Sequence, residues 1–219
     1  MKDAVIRVQG RGEAGAEPDL VVLSFQASGR SGDYADAVAR ATRSVESLRG
    51  TLEEHGVART ALKTVQFGVE TDYEWDSDHR ERRFRGYVAT HALRLVLDRT
   101  HDAGKVLHAI AAGAPGVEVR VSFEVGDRRG FRQRLLAAAV EAAHENAATI
   151  ARAAGVRLGP VLGIEYGWTE VRYSSSLNVD TMELSRLAAP VISFEPDEVR
   201  GEETVTLTCA IDGSVETAR

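Results

Sequence analysis

The stretch Gly10-Arg11-Gly12-Glu13-Ala14-Gly15 spells G-x-G-x-x-G, the spacing at which glycines let a backbone approach the pyrophosphate of a dinucleotide. That chemistry needs the glycines between a strand and a helix, because N–H groups at the helix start hold the phosphates. Val5 to Gln9 supplies a strand in front. Behind the glycines, Pro18 and the alternation of Val21, Leu23, Phe25 and Ala27 with Val22, Ser24, Gln26 and Ser28 predict a second strand, not a helix. Gly10, Gly12 and Gly15 therefore read as turn and bulge positions of a hairpin, and no dinucleotide cofactor is expected.

The remaining chemically capable residues are scattered. His91 shares a strand face with Leu93 and Leu95 and has no second ligand at metal-binding spacing, so it reads as a hydrogen-bonded core histidine. His101 and His108 lie seven apart on a short helix without an H-E-x-x-H pattern, and exposure is expected for both. Asp76, Asp78 and His79, with Glu74 and Glu81 beside them, have the oxygen-rich composition of a cation loop. Arg80, Arg82, Arg83 and Arg85 occupy the same hairpin tip, so a self-neutralising, solvated loop is the simpler reading. Ser174, Ser175 and Ser176 lack the G-x-S-x-G elbow of a nucleophile. Cys209 falls on the inward phase of a strand, the setting of a buried and unreactive thiol. No catalytic, cofactor-binding or metal-ligating residue is assigned, and a non-enzymatic protein is expected.

Composition narrows the classes further. A formal charge of −6, with 24 arginines and 3 lysines dispersed among 33 acids, gives no basic stripe for a nucleic-acid backbone. The dominance of arginine over lysine reads as a codon bias. One cysteine excludes an internal disulfide and a cysteine-cluster metal site. The segment MKDAVIRVQG has no leader-like apolar run and no membrane-length apolar stretch occurs, so the sequence reads as soluble, cytoplasmic and without a membrane span.

The elements that position these residues follow from periodicity. After the two strands, Ala35, Val38, Ala41, Val45, Leu48 and Leu52 predict a helix from Asp33 to His55, capped by Ser31 or Asp33 and ended by Gly56. Val65 to Trp75 and Tyr87 to Leu97 alternate as two long antiparallel strands joined by DSDHRERRF. A short helix spans about Thr100 to Ala112, and a strand covers Val117 to Val125. An alanine-rich helix then runs to about Ala154 with Phe131, Leu135, Ala138, Ala142 and Ile150 inward. Leu162, Ile164, Tyr166 and Trp168 form a further strand, and Val205 to Ile211 the last. The order ββαββαβαββ predicts an α+β fold: a largely antiparallel sheet with two long helices and one short one. The chain reads as one domain over 1–219, or as two α/β halves, about 1–98 and 99–219. The segment at 174–198 is too long for an ordinary connection and weakly periodic, so it reads as a projecting arm, a lid or a partly disordered loop.

Several segments together resemble the SIMPL domain family, a bacterial domain family of unknown function. They are VQGRGEAGAEPDLVVLSFQASG, LEEHGVARTALKTVQFGVETDYEW, FRGYVATHALRLVLDR, AAAVEAAHENAATIARAAGVRLGPVLGIEYG and EVRGEETVTLTCAID. The resemblance implies an α+β domain that assembles into higher oligomers, is often exported to the periplasm or cell envelope, and is connected with stress protection or protein association. It carries over no catalytic residue. The leading expectation is an oligomer-forming interaction or stress-associated protein, with a homo-oligomeric or other protein partner. The alternative is a small-molecule pocket under the arm, lined by Tyr166, Trp168, Tyr173 and Phe194.

Overall fold

The computed structural model describes residues 4–76, 80–98, 101–114, 116–167, 171, 173–177 and 196–212. The fold is α+β, and its elements run β1 (Val5–Ala16), β2 (Leu20–Ser31), α1 (Tyr34–Glu54), β3 (Lys63–Asp76), β4 (Glu81–Asp98), α2 (Ala103–Gly113), β5 (Val117–Glu124), α3 (Arg128–Ala153), β6 (Arg157–Tyr166), β7 (Ser174–Leu177) and β8 (Val199–Asp212). The expected order holds, with β7 opening what the sequence presents as an arm; positions 178–195 lie outside the described residues.

The strands form two sheets, β1-β8-β6 and β3-β4-β2-β5-β7. The expected hairpin of β1 with β2 does not exist: β1 pairs antiparallel with β8 along its whole length, from Val5 opposite Ala210 to Ala16 opposite Val199. This pairing brings the two ends of the sequence into one sheet. One compact unit comprises Met1–Pro18, Val125–Ser174 and Asp197–Arg219; the other comprises Asp19–Glu124 and Ser175–Pro196.

In the first unit, α3 lies on β1 and β8. Gly10, Gly12 and Gly15 are interior to β1, and none has a positive φ, so the turn reading of these glycines is corrected. Their use is steric. A Cβ at Gly10 or Gly12 would fall under 3.0 Å from the α3 backbone at Ala139 and its neighbours. The helix answers with Phe131, Leu135, Ala139, Ala143, Ala147 and Ala151, all buried. Ala138 and Ala142 are only half-buried and Ile150 is exposed, in place of the expected inward set. A strict i, i+4 row is inclined about 26° to the helix axis and so follows a twisted sheet, whereas mixed three- and four-residue steps track the axis. Asn146 Nδ2 donates to the Gln9 carbonyl at 2.9 Å, fixing the helix along the strand.

In the second unit, α1 and α2 cover one face of the larger sheet. Leu23, Phe25, Leu93, Leu95, Val119 and Val121 meet Leu48, Leu52, Leu107 and Ile110 there. The Asp33 side chain caps α1 by accepting from Asp36 N at 2.9 Å, and Ser31 Oγ accepts from Asp33 N at 3.2 Å. Gly56 takes φ +80 just past the helix end. Ala37 rather than Ala35 is buried, because the apolar row starts one turn-face later than the spacing from Ala35 suggests.

The steric reading of β1 is checked by substitution. Gly12→Val is expected to destabilise the protein by at least about 3 kcal/mol, lowering the melting temperature by roughly 6–12 °C. Gly68→Ala, where nothing lies within 4 Å of the added carbon, is expected to change it little. Equal melting temperatures for the two variants would contradict the close packing.

Candidate functional site

Among the described residues of the second unit, exposed large apolar side chains gather on the β3–β4 ribbon, at Val65, Phe67, Tyr73, Trp75 and Phe84. None of the residues of β3 is buried. Phe67, Val69, Thr71, Tyr73 and Trp75 point to the side on which α1 packs, since they pair with or alternate toward His91, Ala89 and Tyr87. A register shift between Asp72 and Tyr73 inserts one extra residue of β4, so Phe84 and Tyr87 share a face despite their odd spacing. Gly86, at φ +135, occupies the bend, and a Cβ there would meet the Ser31 carbonyl.

The result is a run of edge-to-face rings: Tyr34 to Tyr87 at 5.5 Å, Tyr87 to Phe84 at 5.3 Å, and Phe84 to Tyr73 at 5.7 Å. The Arg82 guanidinium stands 5.5 Å over Tyr73. Tyr34 is the first residue of α1, so the helix ends its cover there and the aromatic face continues into solvent. Trp75 is 60% exposed and Phe67 49%. On the opposite face Arg85 pairs with Glu74. Such a ribbon supplies contact area with preset geometry and no reacting group.

The first unit contains a different arrangement, a buried carboxyl. Glu203 is 1% exposed on the inward phase of β8, between Gly201 and Val205 and opposite Gly12. The missing side chain at Gly12 leaves room for it. Arg132 Nη2 lies 3.1 Å from Glu203 Oε1 and donates to Tyr166 Oη at 2.6 Å; Tyr166 Oη donates to Oε1 at 3.2 Å. The bond to Tyr166 is the chief cause that holds the Arg132 guanidinium above its ordinary value, with the Glu203 charge adding to it. Glu203 Oε2 is buried and has no hydrogen-bond partner among the described residues, the costly end of this group. The triangle ties α3 and the last residue of β6 to β8.

Neither Glu203 nor Arg132 was singled out from the sequence, although Glu203 breaks an otherwise apolar alternation from Val199 to Cys209. Starting the last strand at Val205 instead of Val199 hides that signal. His91 is half-buried, not a core residue; its Nε2 lies 2.9 Å from Thr64 Oγ1 and its ring meets Phe67 edge-on at 5.4 Å. Burial, aided by Arg49, pushes the His91 imidazole below its usual value. His101 precedes the Asp102 cap instead of lying on α2, since that cap accepts from Lys105 N, and its Nδ1 sits 2.9 Å from Asp98 Oδ1. His108 is exposed. Asp76 pairs in register with Glu81, whereas Asp78 and His79 lie outside the described residues.

Ser174, Ser175 and Ser176 lie in β7. Cys209 is buried among Ile6, Ala147 and Leu207. Of the aromatics assigned to a pocket under the arm, Tyr166 is engaged by Arg132 and Glu203, and Tyr173 by Phe131 at 6.1 Å and by Arg128. Trp168 and Phe194 lie outside the described residues. Among the described residues no helix is long and apolar enough to cross a membrane.

These features define a two-unit α+β protein with antiparallel sheets, an exposed aromatic ribbon and a buried charge triangle. The family model described as SIMPL, "Protein of unknown function (DUF541)", matches residues 6–209, and the chain belongs to this family. The match begins and ends on a cross-strand pair, Ile6 opposite Cys209. The chain is 25% identical over 158 residues to "Uncharacterized protein YggE" of Edwardsiella ictaluri, covering 72% of this chain and 65% of that relative, a little under two thirds of its length. It is 25% identical over 195 residues to the protein of the same name from Escherichia coli K12, covering 88% and 76%.

Two measurements check these sites. Arg132→Met strands the carboxyl and is expected to cost about 3–5 kcal/mol in urea unfolding, whereas Arg132→Met with Glu203→Leu recovers most of the loss. A double variant as unstable as the single would show that the triangle is not the source. For His91, a depressed folded-state value means that its contribution is complete above the unfolded value of about 6.5 and is lost as pH falls toward the lower, folded one. His91→Gln is therefore expected to flatten the fall in melting temperature as pH drops below about 6.5, and an unchanged slope would remove His91 from it.

Proposed function

We propose that the protein is a non-enzymatic, self-associating interaction protein that joins copies through the free edge and aromatic face of the β3–β4 ribbon. The observation carrying this reading is that β3, a long terminal strand of its sheet with no buried residue, presents an uncovered row of large apolar side chains. An unpaired edge of this length offers backbone donors and acceptors to another strand, and natural proteins usually shorten, twist or charge such edges. Two copies of one edge pair antiparallel about a two-fold axis, giving an isologous contact. Arg82 and Trp75 provide the side-chain types that concentrate binding energy in such contacts.

β6 repeats the pattern in the first unit. It ends its sheet and leaves Leu162 and Ile164 exposed. A second edge allows assembly to extend beyond a pair, as the expected higher oligomer requires. The stress-protective role that the family resemblance implies belongs to this reading as a property of the assembled form.

Sedimentation velocity over a concentration series is expected to give a species larger than the monomer at tens of micromolar. Tyr73→Glu with Trp75→Glu, both at exposed positions, should weaken association at least about tenfold and leave thermal unfolding of the dilute protein nearly unchanged. A strictly monomeric parent protein would overturn the proposal.

A further inference from the structure

The geometry points to a binding groove for a small carboxylic acid bearing an amino or hydroxyl group on the face of the larger sheet that α1 and α2 do not cover. Alternation sends Leu23, Phe25, Leu93 and Val119 to the helices, so Ser24, Gln26, Arg94, Glu118 and Arg120 face the other way. A cavity of about 370 Å³ is lined by these five and by Val65, at the lower end of small-ligand sites.

The register explains its shape. Lys63 is opposite Arg94, Arg94 opposite Ser24, and Ser24 opposite Arg120, so one row across four strands reads Lys, Arg, Ser, Arg. Like charges opposite one another in a sheet are unfavourable. Only Arg94 is offset by an ion pair among the described residues, through Nη2 at 3.0 Å from both oxygens of Glu124. Lys63 and Arg120 have no such pair.

Arg94 and Arg120 stand two strands apart, about 10 Å at the backbone, with the short Ser24 side chain between them. An oxyanion above Ser24 would take donors from Arg120, from the hydroxyl and from the Arg94 N–H groups that do not face Glu124, and would relieve the row's repulsion. One row along the sheet, Gln26 lies between Ala92 and Glu118 and supplies acceptors for a donor group. The two rows are about 7 Å apart, which sets the separation of the ligand's two polar ends. Val65 is the extra residue of a bulge between Thr64 and Gln66, and it gives the groove an apolar wall. Beside the Arg94–Glu124 pair, Lys63, Arg120 and Glu118 together carry one net positive charge, suited to a monoanionic head and a donor tail.

Titration calorimetry with 5-aminopentanoate, pentanoate and butyl phosphate tests this on the full chain. The expected order is 5-aminopentanoate, then pentanoate, then butyl phosphate. Arg120→Gln, at an exposed position, should weaken both acids about tenfold or more, and Glu118→Gln should weaken 5-aminopentanoate alone. Ser24→Leu, which fills the opening, should abolish binding of both, with circular dichroism melting as the control that the sheet is intact. Heat absent for both acids at up to on the order of 10 mM, binding indifferent to Arg120→Gln, or tighter binding of butyl phosphate would each overturn the assignment.

Discussion

The approach of α3 to β1, backbone against backbone, is the constraint from which the first unit follows. Only glycine on the strand and alanine on the helix permit it, and the two rows meet at Gly10, Gly12, Ala139 and Ala143. Glycine weakens a strand by its backbone entropy, so β1 needs a strong partner. β8 supplies one, with threonine and β-branched or apolar residues alternating from Thr204 to Ile211 along a continuous ladder. The buried carboxyl depends on the same contact, because Glu203 faces the one β1 position without a side chain that its own ladder pair supplies. A close-packed helix, a long-range strand pair and a buried charge are thus a single arrangement. Its sheet pairs residues from opposite ends of the sequence, so loop-closure entropy opposes it until both segments are in place.

Element type and order were legible wherever one face of an element meets a core. Alternation in β2, β4 and β5 and the helical period of α1 report burial on one side only, and burial is what those patterns encode. Partner choice was not legible. The glycines of β1 suit a tight turn as well as a close helix, and local sequence does not separate the two when the deciding residues, Ala139 and Ala143, lie more than a hundred positions away. The inward row of α3 was misread for a related reason. A helix rich in alanine offers several apolar rows, and the twist of the sheet selects among them.

The candidate sites were less legible than the fold. The aromatics of the ribbon were visible as a strand pattern, but the extra residue that brings Phe84 onto the face of Tyr87 is a property of register. The row from Lys63 to Arg120 likewise draws on four strands, and no spacing along the chain announces it. Glu203 differs: its signal was local, a charge on the apolar phase of a strand, and extending β8 back to Val199 brings it out.

The ribbon and the row share a physical feature that separates them from ordinary surface. Each carries an unfavourable term that the described residues offset only in part: exposed rings on a terminal strand in one, and in the other a row of three cations of which Arg94 alone is ion-paired. Surface positions tolerate almost any polar residue at little cost, so neither feature is needed for folding. A free strand edge is relieved by another strand, and a row of cations by an anion. The chemistry of what is missing can therefore be read from the sign of the cost: apolar and hydrogen-bonding on the ribbon, anionic between Arg94 and Arg120. The two demands fall on opposite faces of one sheet, since Tyr73 and Trp75 follow the phase of His91 whereas Arg94 and Ser24 follow the other. Occupation of one therefore leaves the side chains of the other free, and association and ligand binding are compatible within the same unit.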